Sequence, residues 1–447
     1  VAADLQSGDE TMVHRITIVA VIAAIAVGCL YLSWLGTVSP PPPWPAPASA
    51  GESQKAKAQS FVGTDSCSGR SCHGGIEQEE NKLVAQDEYT KWLLQDPHAG
   101  AYEALFNSRS KRIAKNLNIA RKPKIEAHED PQCLACHSLP DSQLVAADSF
   151  RAVGCEACHG SAEKWLQAHS ADQWTTKKLP ASEKTRYGMT DVHDAAACAS
   201  ACVKCHVGDA PPRDVNHDLI AAGHPRLNFE YAAYRANLPP HWKTIASKEP
   251  SPAQSWAIGQ VVAAEQSLKL LAHRAKDKER WPEFAEYDCY ACHHNLSDAW
   301  RQKRTSRMPG SLSWGTWYFA MIPELAATQN SPRVGDLLDN VRGQMQSPLP
   351  RQVELAGALT ALGELRKTIE GFNNQALNSM LDEWLSRGPE FQSWDMAEQF
   401  YLAACALRPR AKALRDLESS RGLPEGFDSP RGFNPETFFK QLSEAMK

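Results

Sequence analysis

The chain has 447 residues and a net charge of −4, with 43% apolar and 22% charged residues. That length allows two or three domains, the composition is ordinary for a globular protein, and so small a charge makes no case for nucleic acid as a partner. Thirteen cysteines stand out, but disulfide-rich scaffolds are usually short, so cysteine spacing carries more information than cysteine number.

In chain order, the first feature is residues 16–36, a run of 21 residues without a charge. Such a run is long enough to span a bilayer as a helix. Arg15 precedes it, and a basic flank favours a cytoplasmic N-terminus. The expectation is therefore a cytoplasmic segment at 1–15, with Met12 as a natural start, and a membrane helix at 16–36. A cleaved signal peptide would use Ala48-Ser49-Ala50, which lies far beyond the apolar run. A lipoprotein signal would use Cys29, but apolar residues continue after it to Leu35. Pro40 to Pro43, with Pro45 and Pro47, then form a stiff extended spacer within a linker at 37–60.

Residues 61–300 hold nearly all the histidine and cysteine. Helical patterns outnumber strand-like ones there. A helix is expected over Glu88–Gln95. Another is expected over 255–275, where, after Trp256, Val261, Ala264, Leu268 and Leu271 recur at three- and four-residue spacing. Residues 308–447 contain no histidine and one cysteine, Cys405. Their apolar faces, among them Leu337, Val341 and Met345, or Met396, Phe400 and Ala403, predict an all-helical C-terminal domain. The fold class expected overall is mainly α.

Four segments read Cys-x-x-Cys-His: Cys133/Cys136/His137, Cys155/Cys158/His159, Cys202/Cys205/His206 and Cys289/Cys292/His293. This is the attachment signature of c-type haem. Two thiols add across the vinyl groups of one porphyrin, and the next residue places an imidazole under the iron. Structural zinc needs four ligands, usually two pairs at a fixed interval, whereas here each pair is followed by histidine and the intervals are irregular. A redox-active dithiol does not account for four copies with trailing histidines. A fifth segment, Cys67-Ser-Gly-Arg-Ser-Cys72-His73, has two extra residues between its cysteines. Gly69 is expected to take a positive φ that lets this longer loop bulge. The expected cofactor is thus five covalently bound haems c, with His73, His137, His159, His206 and His293 as proximal ligands.

Spare histidines are numerous: His98, His128, His169, His193, His217, His224, His241, His273 and His294. Met189 is the only methionine among the motifs. A second histidine generally leaves a haem at lower potential than methionine does, so low-potential bis-histidine sites are expected. His217 and His224 lie seven apart, a spacing that keeps one helical face, although Gly223 and Pro225 should end that helix and leave His224 at a corner.

The order of motifs resembles the cytochrome c-554 family of multihaem cytochromes. The resemblance covers residues 61–296. It rests on Phe61-Val-Gly-Thr-Asp-Ser-Cys67, on Asp96-Pro-His98, on Val153-Gly-Cys-Glu-Ala-Cys-His-Gly160 and on Ala222-Gly-His-Pro-Arg-Leu-Asn-Phe-Glu230. It implies a multihaem cytochrome fold of helices and loops wrapped around haems in close pairs. It also implies that His98 caps the iron held by His159, that His169 caps the one held by His73, and that the position of His137 can lack a strong distal ligand. His217 and His224 are candidates for the irons of His206 and His293, and His128 for that of His137.

A globule of about 240 residues has a radius of gyration of about 18 Å, so five haems within it must be neighbours. The expected function is electron transfer between a membrane-associated donor and a periplasmic acceptor, with redox proteins or a larger respiratory complex as partners. An alternative is a multihaem oxidoreductase acting on a small nitrogen or sulfur compound at one open iron. Covalent haem attachment takes place outside the cytoplasm, which agrees with the charge at Arg15 and places the haem domain on the periplasmic side of the bacterial inner membrane.

Overall fold

The computed structural model describes residues 60–76, 84–139 apart from 120 and 122, 151–242 apart from 172, 173 and 175–178, 250–293 apart from 290 and 291, 311–347, 352–387 apart from 370 and 371, 394–407 and 440–444. The expected membrane span, its linker and His294 lie outside these residues. Among those described, no helix is long and apolar enough to cross a membrane.

The fold is mainly α. Among the described residues the helices run α1 (Glu88–Gln95), α2 (Ser108–Leu117), α3 (Pro131–His137), α4 (Cys155–His159), α5 (Ala181–Arg186), α6 (Ala195–His206), α7 (His217–Ala222), α8 (Tyr231–Ala236) and the long α9 (Pro252–Arg274). Then follow α10 (Ile322–Thr328), α11 (Arg333–Met345), α12 (Ala356–Thr368), α13 (Asn374–Arg387) and α14 (Trp394–Leu407). One isolated antiparallel bridge joins Tyr287 to Trp314.

Short helices need good ends. Asp130 and Asp194 cap α3 and α6 by accepting the backbone N–H groups of Gln132 (2.9 Å) and Ala197 (2.7 Å), and Pro131 opens α3 with its φ already helical. A cap of this kind contributes about 1 kcal/mol. Both helices carry a Cys-x-x-Cys-His segment as their last turn, so each cap fixes where an attachment site begins.

Two kinds of core differ sharply. Before α9, buried apolar side chains fall into small separate clusters, such as Trp92 with Ala99 and Ala152, or Leu105 with Ala114 and Ala127. Clusters of this size cannot by themselves hold so long a segment together. After α9 there is one large core. Trp256, Ala257, Val261, Ala264, Leu268 and Leu271 of α9 pack with Leu362 and Leu365 of α12 and with Phe400 of α14. The opposite face of α9 meets α6, where Val262 and Ala263 join Ala199 and Val203. Helix α9 is therefore buried on both sides. It belongs as much to the C-terminal helices as to the haem segment, and no break in packing separates the two: all described residues lie in one compact unit, Lys57–Lys447.

Candidate haem sites

Each attachment motif is positioned by polar contacts to its neighbours. In α4 the buried Glu156 carboxylate accepts the N–H groups of Val62 (3.1 Å), Gly63 (2.9 Å) and Ala162 (2.6 Å). That carboxylate draws the segment leading to Cys67 onto the Cys155 motif. Gly154 is required by the same approach, since a Cβ there would lie 1.9 Å from the Thr64 hydroxyl. The Trp92 indole donates to the Val153 carbonyl (3.2 Å), and Val153 N–H donates to the His98 carbonyl (3.3 Å), which ties α1 and its Asp-Pro-His turn to the same motif.

The Cys67–Cys72 loop closes through the Cys72 and Gly74 N–H groups, both donating to the Gly69 carbonyl at 2.9 Å. Gly69 does not adopt the expected positive φ. The tight position is Gly74, where a Cβ would sit 1.9 Å from the Ser68 carbonyl oxygen.

None of the described cysteines is in a disulfide. They meet across motifs. Cys155 hydrogen-bonds to Cys67 and Cys136 to Cys205, and these bonds together with burial raise the Cys155 and Cys136 thiols. The attachment sites are thus paired, first with third and second with fourth. Cys198, one turn before Cys202, hydrogen-bonds to it, and Cys405 packs on the C-terminal core. Met189 packs among Trp165 and Trp174.

The histidines form pairs. A metal–imidazole nitrogen bond is about 2.0 Å and the ring centre lies about 1.1 Å behind that nitrogen, so two imidazoles on opposite faces of one iron have centres about 6.2 Å apart. His73 and His169 stand 6.1 Å apart, His98 and His206 6.0 Å, His159 and His241 6.5 Å, and His217 and His293 6.5 Å. Each pair joins one histidine that follows a cysteine with one that does not.

The ring nitrogens are sorted in the same way. Nδ1 of His73 hydrogen-bonds to Glu88 (3.0 Å) and that of His98 to Asp96 (2.8 Å). Nδ1 of His137 donates to the Ala101 carbonyl (2.8 Å), that of His224 to Pro225 (2.8 Å), that of His241 to Pro239 (3.3 Å) and that of His169 to Leu166. Tying one nitrogen to a carbonyl or carboxylate fixes the tautomer and leaves Nε2 for a metal. The hydrogen bond that His73 donates to Glu88 raises its pKa, and the one that His98 donates to Asp96 raises its own. Burial pushes His159 and His206 down to about 4, so both rings are neutral at pH 7, the form that ligates iron.

Apolar groups complete the fit. Phe284 is 52% exposed although its ring lies 5.8 Å from that of His217. Tyr234, 43% exposed, lies 5.0 Å from His206. A flat apolar macrocycle between the paired imidazoles would cover both, and would supply the volume that the small clusters before α9 lack.

Residues 66–160, which carry the first three motifs, match the family described as cytochrome c554 and c-prime. Over these residues the chain is similar to the c-type cytochromes of that family. Its cofactor is covalently bound haem c and its chemistry electron transfer. No curated protein and no solved structure matches the chain.

The structure pairs the candidate distal histidines in part differently from the expectation. His169 stands opposite His73, and His217 opposite His293. His98 does not face His159; it faces His206, because Asp96 binds both its backbone N–H (2.9 Å) and its Nδ1 (2.8 Å) and turns the ring toward α6. His241 takes the place opposite His159. Sequence reasoning left His241 unassigned, yet it shares a signal with His98: each directly follows a proline. His128 stacks on Phe106 (4.6 Å) instead of facing His137. His224 follows the end of α7, as Gly223 (φ 121°) and its own N–H bond to Leu219 dictate. It lies within electrostatic reach of His137. Among the described residues, though, no imidazole faces His137 at the separation the four pairs share.

Proposed function

We propose that this protein is a pentahaem electron carrier, held to the outer face of an energy-transducing membrane by residues 16–36 and passing electrons between a membrane-associated donor and a periplasmic acceptor. The observation that carries the reading is the set of four imidazole pairs at 6.0–6.5 Å, each ready to close both axial positions of an iron. Haem c, once attached, supplies one-electron exchange between ferric and ferrous iron. The chain does the rest. Cys67 with Cys72, Cys133 with Cys136, Cys155 with Cys158, Cys202 with Cys205 and Cys289 with Cys292 hold the macrocycles. The paired histidines would hold four of them from both sides, which suits a carrier better than an enzyme.

The fifth site supports a second reading. His137 keeps its Nδ1 tied to Ala101, and among the described residues no imidazole faces it at ligand distance. An iron there would offer one position to a small nitrogen or sulfur compound, with His224 within electrostatic reach of His137.

Intact mass separates the haem counts. The carrier reading expects five haems that survive acid and organic extraction, including one at Cys67 and Cys72; four haems with two free thiols at those positions would refute the fifth. The anchor is tested by partition: the native protein is expected in the membrane fraction, and a mature N-terminus near Gly51 would overturn that part.

A further inference from the structure

We infer that Arg274, the last residue of α9, is the positioning residue that holds His217 opposite His293; the inference rests on the pentahaem reading. The two histidines come from separate stretches, 214–217 and 283–293. Arg274 joins these stretches. Its Nη2 and Nε bind the Asp214 carboxylate at 2.5 and 3.1 Å, its Nη2 also binds the Val215 carbonyl at 3.1 Å, and its Nη1 binds Glu286 at 2.7 Å. Asp214 lies three residues before His217, and Glu286 three before Cys289. A second tie completes the frame: the Glu283 carboxylate accepts the His217 N–H at 2.8 Å.

The surroundings make the frame rigid. Asp214 also accepts Gln132 through its carbonyl (3.0 Å), which links it to α3. Asn216 caps α7 through the Leu219 N–H (3.0 Å), so the direction of His217 at the first helical position follows from where 214–216 is held. On the other side, the Glu286 carbonyl accepts the Gly315 N–H (2.8 Å), and Asp288 N–H donates to Ser313 (2.9 Å). The Arg274 side chain is 8% exposed, with Asp214 at 14% and Glu286 at 6%. Removing the guanidinium would leave two buried carboxylates facing each other, which drives the two stretches apart. A shift of about 1 Å suffices to lose a bond of about 2 Å between an imidazole and a metal. The C-terminal helical core, through α9, thereby determines whether the iron at His293 has both axial ligands.

The test uses full-length holoprotein, with carbon monoxide bound per chain after reduction as the readout. The wild type binds at most one. Arg274→Gln is expected to keep five covalent haems and to bind one more, His217→Ala to show the same increment, and the double variant no more than either alone. Arg274→Lys, which keeps the charge without the fork, should fall between wild type and Arg274→Gln. Asp214→Asn serves if Arg274→Gln yields no holoprotein, and is expected to bind a fraction of one extra equivalent. Unchanged carbon monoxide binding in whichever of Arg274→Gln and Asp214→Asn is recovered, with only the melting temperature lowered, would overturn the inference. A wild type lacking haem at Cys289 and Cys292 would instead refute the pentahaem reading itself.

Discussion

His73 and His169 face each other with ring planes only 9° apart, whereas His98 and His206, at nearly the same separation, are turned by 81°. His217 and His293 resemble the first pair at 23°, and His159 and His241 the second at 68°. Parallel imidazoles split the two iron d orbitals that interact with them; crossed imidazoles leave those orbitals nearly degenerate. Electron paramagnetic resonance of the oxidised protein should therefore show two classes of low-spin iron, one rhombic and one with a single broad feature at large g. His169→Ala is expected to remove a rhombic signal and His241→Ala a large-g one, each replaced by high-spin iron. Loss of the same class in both variants would contradict the pairing.

Glu88 would distinguish an iron at His73 from one at His137. A carboxylate on Nδ1 makes the imidazole a stronger donor than a carbonyl does, and a stronger donor favours ferric iron. Glu88→Gln should raise the midpoint potential of one haem. A difference of about 1.4 kcal/mol between the two oxidation states corresponds to about 59 mV for one electron. Redox titration followed in the Soret band reads this directly, and an unchanged set of potentials would show that the Glu88 contact has no electronic weight.

Glu156 is the stability test. Replacing it by alanine strips three N–H groups of their acceptor, and each buried unpaired donor costs about 1–3 kcal/mol. Entering water recovers part of that cost. Glu156→Ala is expected to lower stability by several kcal/mol, more than any single exposed carboxylate, with the haem at Cys67 and Cys72 the first to lose its low-spin signal on heating.

The C-terminal helices depend on α9. Leu268 and Leu271 have no exposed surface and pack within the same core as Leu362, Leu365 and Phe400. Leu268→Ala should cost about 2–5 kcal/mol. A fragment of residues 308–447 lacks α9 and is expected to be helical without a cooperative thermal transition, whereas a fragment of residues 250–447 should unfold cooperatively. Equal cooperativity in both would mean that the C-terminal helices hold a core of their own.

Much of this was legible in the sequence because it is local. Cys-x-x-Cys-His carries its chemistry within five residues, and the helices at Glu88–Gln95 and around Trp256 follow from apolar spacing. The distal ligands are another matter. Which iron His98 reaches is decided by Asp96 and by the approach of α6, a long-range relationship with no periodic trace. His241 has only the preceding proline to mark it. The boundary near 300–308 follows the change in histidine and cysteine content, but the packing runs across it, because α9 presents apolar residues to both sides. Arg274 gave no signal at all, since its importance comes from joining two distant stretches of chain.

The most direct test of the central claim, that paired histidines close four irons and leave the one at His137 apart, is a carbon monoxide titration of the fully reduced wild-type protein. At most one carbon monoxide is expected per wild-type chain carrying five haems, and that one equivalent is abolished only by changes around His137 and His224. Two or more equivalents bound per chain would contradict it.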